Sequence, residues 1–420
     1  MTGLDRRLGT VDAVVIGLGS MLGAGVFVVF APATAVAGGP GMLAGLAIAG
    51  LVAFGNATSS ARLAARYPES GGTYVYGRER LGDLAGFAAG WGFVAGKTAS
   101  CAAMTLAIGA YLVPHPSFAA EPRLLGLAAL AVVTVVNLLG VSKTAGATRW
   151  LVAVTIVVLA TVTAVGIAGG RPTSVHIGHF SGTHGVLAAA GLLFFAFAGY
   201  ARIATMGEEV REPERTIPRA VPLALGIVLL VYLTVGLTTL VVLGPDRLAT
   251  ATAPLADVVT VAGLPALAWV VRAGAAVAVT GVLLALVAGV ARTVLAMARR
   301  HDLPGALSAV HPARRVPHRA QVLVALAVAG LAALGDLRAA IGFSSFTVLV
   351  YYAIANASAL TLGREPARRL PVQTLAAVGL VGCVVLALSL PWRSVLAGAV
   401  VLGLGILAHL VTRRSTARSA

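Results

Sequence analysis

Apolar stretches long enough to cross a bilayer recur along this chain, and no other feature limits its fold so tightly. A membrane-spanning helix needs about 20 such residues. Twelve stretches qualify: 11–37, 41–61, 84–113, 124–141, 150–169, 186–206, 220–243, 265–291, 321–335, 340–362, 372–389 and 394–412, the ninth being short. Several begin or end at Pro or Gly, as helix punctuation does. The expectation is an all-α polytopic membrane protein of twelve spans. Composition agrees: 58% of the residues are hydrophobic, 11% are charged, and the mean hydropathy is +0.93. A soluble domain carries about 25% charged residues, so too little polar surface remains here to coat a globule. The 50 glycines follow no collagen period, and the sustained apolar runs exclude disorder.

The net charge is +16, from 31 Lys and Arg against 15 Asp and Glu. Membrane loops collect cations on the cytoplasmic side. The two termini and the loops from even to odd spans hold 22 of the 31 cations, and the opposite loops hold 5. The remaining four, Lys97, Arg202, Arg272 and Arg292, fall within spans, the last at the very end of one. This asymmetry predicts cytoplasmic termini in a cell membrane and explains the basic charge without nucleic acid. The N-terminus imitates a signal peptide, with basic residues, an apolar run and Ala35-Val36-Ala37 before Gly38. Its apolar run is too long for the hydrophobic core of one. Cys101 and Cys383 both lie in apolar runs and make neither a disulfide framework nor a metal site.

Span 1 carries four glycines in nine residues, Gly17, Gly19, Gly23 and Gly25, midway along its apolar stretch. Each costs a helix about 1 kcal/mol relative to Ala. One reading is close packing of the small-xxx-small kind, as in Gly19 and Gly23. The other is an unwound segment at mid-membrane, tolerated only where it lines a cavity. Free N–H groups near Gly23–Gly25 would then face an anion. Span 6 supplies a second interruption: Phe194-Phe195-Ala196-Phe197-Ala198-Gly199-Tyr200-Ala201-Arg202 sets a lone Gly beside an intramembrane Arg. Spans 1 and 6 each open a block of five, and interrupted helices in matching positions of two halves point to a transporter site.

These segments resemble the amino acid–polyamine–organocation (APC) superfamily of permeases, with the LeuT-type fold. The likeness rests on residues 17–27 of span 1, on Leu63-Ala64-Ala65-Arg66-Tyr67-Pro68-Glu69-Ser70-Gly71-Gly72-Thr73-Tyr74-Val75-Tyr76, and on residues 194–200. It rests also on Glu208-Glu209, Pro213-Glu214-Arg215-Thr216-Ile217-Pro218-Arg219-Ala220 and Ala291-Arg292-Thr293-Val294-Leu295-Ala296-Met297-Ala298-Arg299. The resemblance implies a 5+5 inverted repeat, with halves at 1–169 and 186–362, two extra helices over 372–412, and alternating access. It implies that a substrate carboxylate meets backbone N–H groups of the span 1 break, and that its ammonium meets carbonyls of both breaks. Carried over, this nominates Ser20, Met21, Gly23, Ala24 and Gly25 with Phe197, Ala198 and Gly199. Phe194, Phe197 and Tyr200 become gates or pocket walls, with core or lipid packing as the alternative.

The ionisable residues narrow the chemistry. All fifteen acids lie in loops or near span ends, Glu208 and Glu209 closest, at the end of span 6. No carboxylate is therefore expected at mid-membrane to neutralise a cationic substrate. The eight His lie in loops or at a span end; the cluster His176, His179 and His184 lacks a carboxylate or Cys to complete a metal site. Lys97 sits midway along span 3, too deep to snorkel, and burial of an ammonium disfavours its charged form. It is the leading proton-coupling candidate, with Glu208 second. Proton-coupled relatives carry a buried lysine on span 5, whereas the matching region here, around Thr155, has none. Arg202 cannot deprotonate; it either clamps a carboxylate or pins the unwound backbone. The expectation is a secondary active transporter importing an amino acid, neutral first, with a proton, and using no cofactor or metal. An exporter or exchanger of the same fold is the alternative. A membrane enzyme lacks clustered catalytic groups, and a nutrient sensor would carry a soluble signalling domain.

Overall fold

The computed structural model describes residues 8–67, 71–113, 121–140, 145–169, 180–204, 206, 210–363 and 372–419. Span 1 is interrupted where the glycines cluster: α1 (Thr10–Met21) stops, Leu22 and Gly23 turn, and α2 (Ala24–Val28) resumes. Val29 leads directly into α3 (Phe30–Arg66). Within α3, Gly38 adopts φ 72°, a conformation favouring glycine, and Pro40 follows it, so the chain reverses between the first two predicted spans. A short α4 (Thr73–Leu81) leads through Gly82, at φ 96°, into α5 (Asp83–Leu112). Then come α6 (Pro122–Leu138) and α7 (Ala145–Gly169).

Span 6 is α8 (Gly182–Phe197), which tightens into a 3-10 turn over Ala198–Tyr200 before α9 (Ala201–Ala204). The second half continues with α10 (Pro213–Leu243), α11 (Pro245–Thr250), α12 (Pro254–Val261) and α13 (Pro265–Arg299). Proline opens each of these four helices, where its missing N–H costs nothing and its fixed φ suits the first turn. Last come α14 (His318–Leu334), α15 (Leu337–Leu360), α16 (Val372–Ser389) and α17 (Trp392–Ser419). Among the described residues nine helices are long and apolar enough to cross a membrane. Three shorter apolar helices, Pro122–Leu138, His318–Leu334 and Gln373–Ser389, accompany them.

The interrupted helices lie at the centre. α3 packs along α8, α1 against α10 and α7, and α5 against both α13 and α15. Helices here approach closely because glycine faces backbone. A Cβ on Gly109 of α5 would lie 1.9 Å from the Pro122 carbonyl oxygen, and one on Gly126 of α6 would lie 2.2 Å from that of Thr105. Dispersion between such surfaces holds helices together where lipid removes the hydrophobic drive. Large apolar side chains point outward instead, among them Leu124, Val132, Leu326, Leu334, Leu388 and Leu404.

Gly126→Leu forces a side chain against Thr105 backbone that cannot yield, and overpacking of this kind costs about 1–3 kcal/mol or more. Gly289 faces open space, so Gly289→Ala is neutral within about 0.5 kcal/mol. Thermal unfolding of the purified variants in one detergent should lower the melting temperature of the first and leave the second unchanged.

Candidate functional site

The two interruptions meet. A Cβ on Gly199 would fall 2.2 Å from the Ser20 carbonyl oxygen and 2.8 Å from the Met21 nitrogen. One on Gly25 would fall 2.5 Å from the Ala196 Cα. These two glycines let spans 1 and 6 touch backbone to backbone. Gly17, Gly19 and Gly23 serve packing as well: their missing side chains make room for Ile203, Val152 and Val282. Gly17 and Gly19 lie in regular helix, and the chain turns at Leu22–Gly23.

An interrupted helix leaves carbonyls without intrahelical partners. Three side chains supply donors. The Tyr232 hydroxyl, on α10, lies 2.5 Å from the Met21 carbonyl oxygen and 3.0 Å from that of Ala196, so one phenol joins both interrupted spans. The Lys97 ammonium donates to the Ala198 carbonyl at 3.5 Å, and the Tyr352 hydroxyl donates to the same oxygen at 3.2 Å. Lys97 is buried, 14 residues into α5, and faces inward toward the span 6 turn. A carbonyl oxygen has two lone pairs, so Ala198 holds both donors at once.

Aromatic rings wall the crossing. Phe197 meets Tyr232 edge-on at 5.1 Å between centroids, Phe194 meets Tyr352 edge-on at 5.7 Å, and Tyr200 stacks on Tyr352 at 4.9 Å. Phe194, Phe197 and Tyr200 are fully buried, which removes the lipid-facing alternative. Met21, Gly23, Ala24, Gly25 and Ala198 are buried beside them, and Ser20 is half-buried with its hydroxyl donating to Ile16. Arg202 departs from the expectation of a residue deep in a span: it is exposed, on α9 beyond the 3-10 turn. Glu208, like His176 and His179, lies outside the described residues. Thr155 is buried and donates to the Leu151 carbonyl of its own helix.

One end of the bundle is fastened around α1. Leu8 pairs with Val210, the Arg211 N–H donates to the Leu8 carbonyl at 2.8 Å, and Asp12 is salt-bridged to Arg149 of α7. At the other end, buried Arg272 of α13 donates to the carbonyls of Ala110, Tyr111 and Val113, capping α5, while Tyr111 donates to the Phe27 carbonyl at 2.8 Å. Asp257 of α12 lies near Arg272; its partial burial pushes the carboxyl above its ordinary range, and the Arg272 and Arg247 charges oppose that rise. Tyr232 and Tyr352 were not singled out from the sequence, and Arg272 was named only as a cation within a span. The signal was a phenol or guanidinium within an apolar run, since a buried polar group needs a partner.

The bundle is built around two crossing, interrupted helices. A solved structure of MhsT in complex with L-phenylalanine shares the fold, with a TM-score of 0.62 at 15% identity over 92% of this chain and all of that one. The sequence model described as amino acid permease matches residues 8–408, and the chain belongs to that family. An uncharacterized transporter of Mycobacterium tuberculosis is 59% identical over 99% of this chain and 93% of its own length. The branched-chain amino acid permease BcaP of Bacillus subtilis is 26% identical over 98% of this chain and 94% of its own. Human cationic amino acid transporter 4 is 28% identical over 86% of this chain and 60% of its own.

Tyr232→Phe keeps the ring against Phe197 and removes a donor placed between the two interrupted spans. An unmet buried carbonyl costs about 1–3 kcal/mol. Folded yield should stay near that of the unmodified protein while the maximal uptake rate in proteoliposomes falls about tenfold. An unchanged rate would deny the phenol this part.

Proposed function

We propose that the protein imports a neutral amino acid together with a proton across the cell membrane, by alternating access around the crossing of spans 1 and 6. The observation that carries this reading is Lys97, a buried ammonium donating to the Ala198 carbonyl at the span 6 turn. A group at that position senses both substrate and the conformation of span 6. The substrate carboxylate would face the N–H groups of Gly23, Ala24 and Gly25, and its ammonium the carbonyls of the two breaks. Ser20, Met21, Phe194, Phe197, Ala198, Gly199 and Tyr200 would line the site. Arg202 would steady the backbone after the turn rather than touch substrate, in keeping with its exposure.

Proton and substrate would each lower the cost of binding the other, and linkage makes that effect reciprocal. The neutral preference follows from the same surroundings. Among the described residues Lys97 is the buried cation beside the crossing, and no Asp or Glu there is placed to neutralise a second. The names of BcaP and of the MhsT complex agree with a neutral substrate. The name of the human relative favours a cationic one, and competition between the two classes decides.

The three shorter apolar helices complete twelve spans in this reading, with both termini cytoplasmic and five-span halves related by inversion. The packing supports the inversion. Span 1 on span 7 (α1 with α10) has its counterpart in span 6 on span 2 (α8 with α3). Span 3 on span 10 (α5 with α15) has its counterpart in span 8 on span 5 (α13 with α7).

Two measurements test the proposal in proteoliposomes. Lys97→Met should abolish accumulation driven by a pH gradient and remove the pH dependence of substrate binding. Accumulation by that variant under a proton gradient, or a strict sodium requirement in the unmodified protein, would overturn proton coupling through Lys97. Leucine, valine and phenylalanine should compete for uptake where arginine and putrescine do not; strong arginine uptake uncompeted by neutral amino acids would reverse the substrate class.

A further inference from the structure

A second buried cluster of charge lies apart from the crossing. Its centre is Asp302, three residues beyond the end of α13. The chain there turns sharply: the His301 N–H donates to the Ala298 carbonyl and the Asp302 N–H to that of Met297, with His301 at φ 61°. This double closure of a helix end normally employs glycine. Its effect is to fold Asp302 back against the bundle, leaving the side chain only 1% exposed.

Two helices reach that carboxylate, and two more pack on the residues that do. From α4, the Tyr74 hydroxyl donates to Oδ2 at 2.5 Å and the Arg78 guanidinium at 2.6 Å. From α17, the His409 Nδ1 lies 3.6 Å from Oδ1, with the His side chain 3% exposed. From α5, the Phe87 ring stacks on the His409 ring at 4.1 Å and fixes its plane. The other charges around the cluster are Arg300, over the Tyr74 ring at 5.6 Å, and Asp83 of α5, 3.3 Å from Arg78. On α17 itself the nearest ionisable residues in sequence are Arg413 and Arg414. From α15, Tyr351 accepts a hydrogen bond from the Thr73 N–H at the start of α4.

The two oxygens of Asp302 are unequal. Oδ2 takes two donors, whereas Oδ1 is buried with no hydrogen-bond partner among the described residues. A buried acceptor without a donor is costly. The imidazole faces it a few tenths of an ångström beyond bonding distance.

We propose that Asp302 and His409 form a proton-binding site distinct from Lys97, whose occupancy sets how firmly α4 is held to the end of α13. An Nδ1–H on neutral imidazole can donate to Oδ1, but a charge-assisted bond is about twice as strong, and exclusion of water strengthens it further. Protonated His409 therefore draws Oδ1 toward α17, completes the carboxylate and steadies the oxygen that holds Tyr74 and Arg78. Deprotonation returns Oδ1 to its unmet state and loosens α4. The sign follows: the fastening is strongest at acid pH and is lost as His409 gives up its proton. The site lies at the end of the bundle that the proposed topology makes cytoplasmic. It ties α17, one of the two helices beyond the ten of the repeat, to the short helix between spans 2 and 3.

Hydrogen–deuterium exchange of the full chain in lipid nanodiscs tests this at about pH 5.5 and about pH 8, corrected for intrinsic exchange. Residues 73–81 of the unmodified protein should be at least several-fold better protected at the acid pH. His409→Gln should abolish that difference, and so should Asp302→Asn, which keeps an acceptor for Tyr74. The same difference persisting in either variant, or its absence from the unmodified protein, overturns the proposal. If His409→Gln yields no folded protein, Asp302→Asn decides by the same criterion. The readout does not involve transport, so failure of proton coupling at Lys97 would leave this inference standing, and the reverse holds too.

Discussion

Backbone carbonyls set the terms for this structure. In hydrocarbon no water is present to satisfy a carbonyl that a helix has released, so an interrupted helix must find donors in its neighbours. Here they come from three directions: Tyr232 for Met21 and Ala196, and Lys97 with Tyr352 for Ala198. The interruption of spans 1 and 6 thus depends on α10, α5 and α15 being where they are. Those helices are in turn held close by glycine contacts such as Gly96 against Thr347 and Gly236 against Phe30.

The same economy explains why the site is built from backbone and rings. Ionised side chains are costly in a bilayer; helix ends and freed carbonyls carry partial charge at lower cost. Lys97 is the exception, and its ammonium is placed on a carbonyl rather than a carboxylate.

Much of this was legible in the sequence, and the remainder was hidden for definite reasons. The span 1 turn falls at Leu22–Gly23, within the glycine cluster, and the span 6 turn at Ala198–Tyr200, around the lone Gly. Both were readable because glycine in a long apolar run works against the helix. The depth of Lys97 was readable too, but its direction was not, since α5 is apolar nearly all round and shows no preferred face. Tyr232 and Tyr352 left no pattern: a single phenol in an apolar run looks like any core aromatic until its acceptors are placed. Asp302 looked like an ordinary loop acid in an Arg-rich segment, and only the left-handed turn at His301 carries it inward. Arg202 lies beyond the 3-10 turn, on α9, and is exposed.

The turn at Leu22–Gly23 also makes α1 a lever. Its 12 residues form a rigid arm about 18 Å long at the usual rise per residue. With the fulcrum at the glycine, a tilt of about 10° displaces the far end by about 3 Å. That travel is comparable to the whole 2.8 Å length of the bond from Arg211 to Leu8. The bridge to Val210 and the ion pair to Arg149 sit near the same far end. A small rotation at the centre is therefore magnified at the end where the fastenings are. The fulcrum barely moves, so the crossing at Gly25 and Ala196 can stay intact while the arm swings.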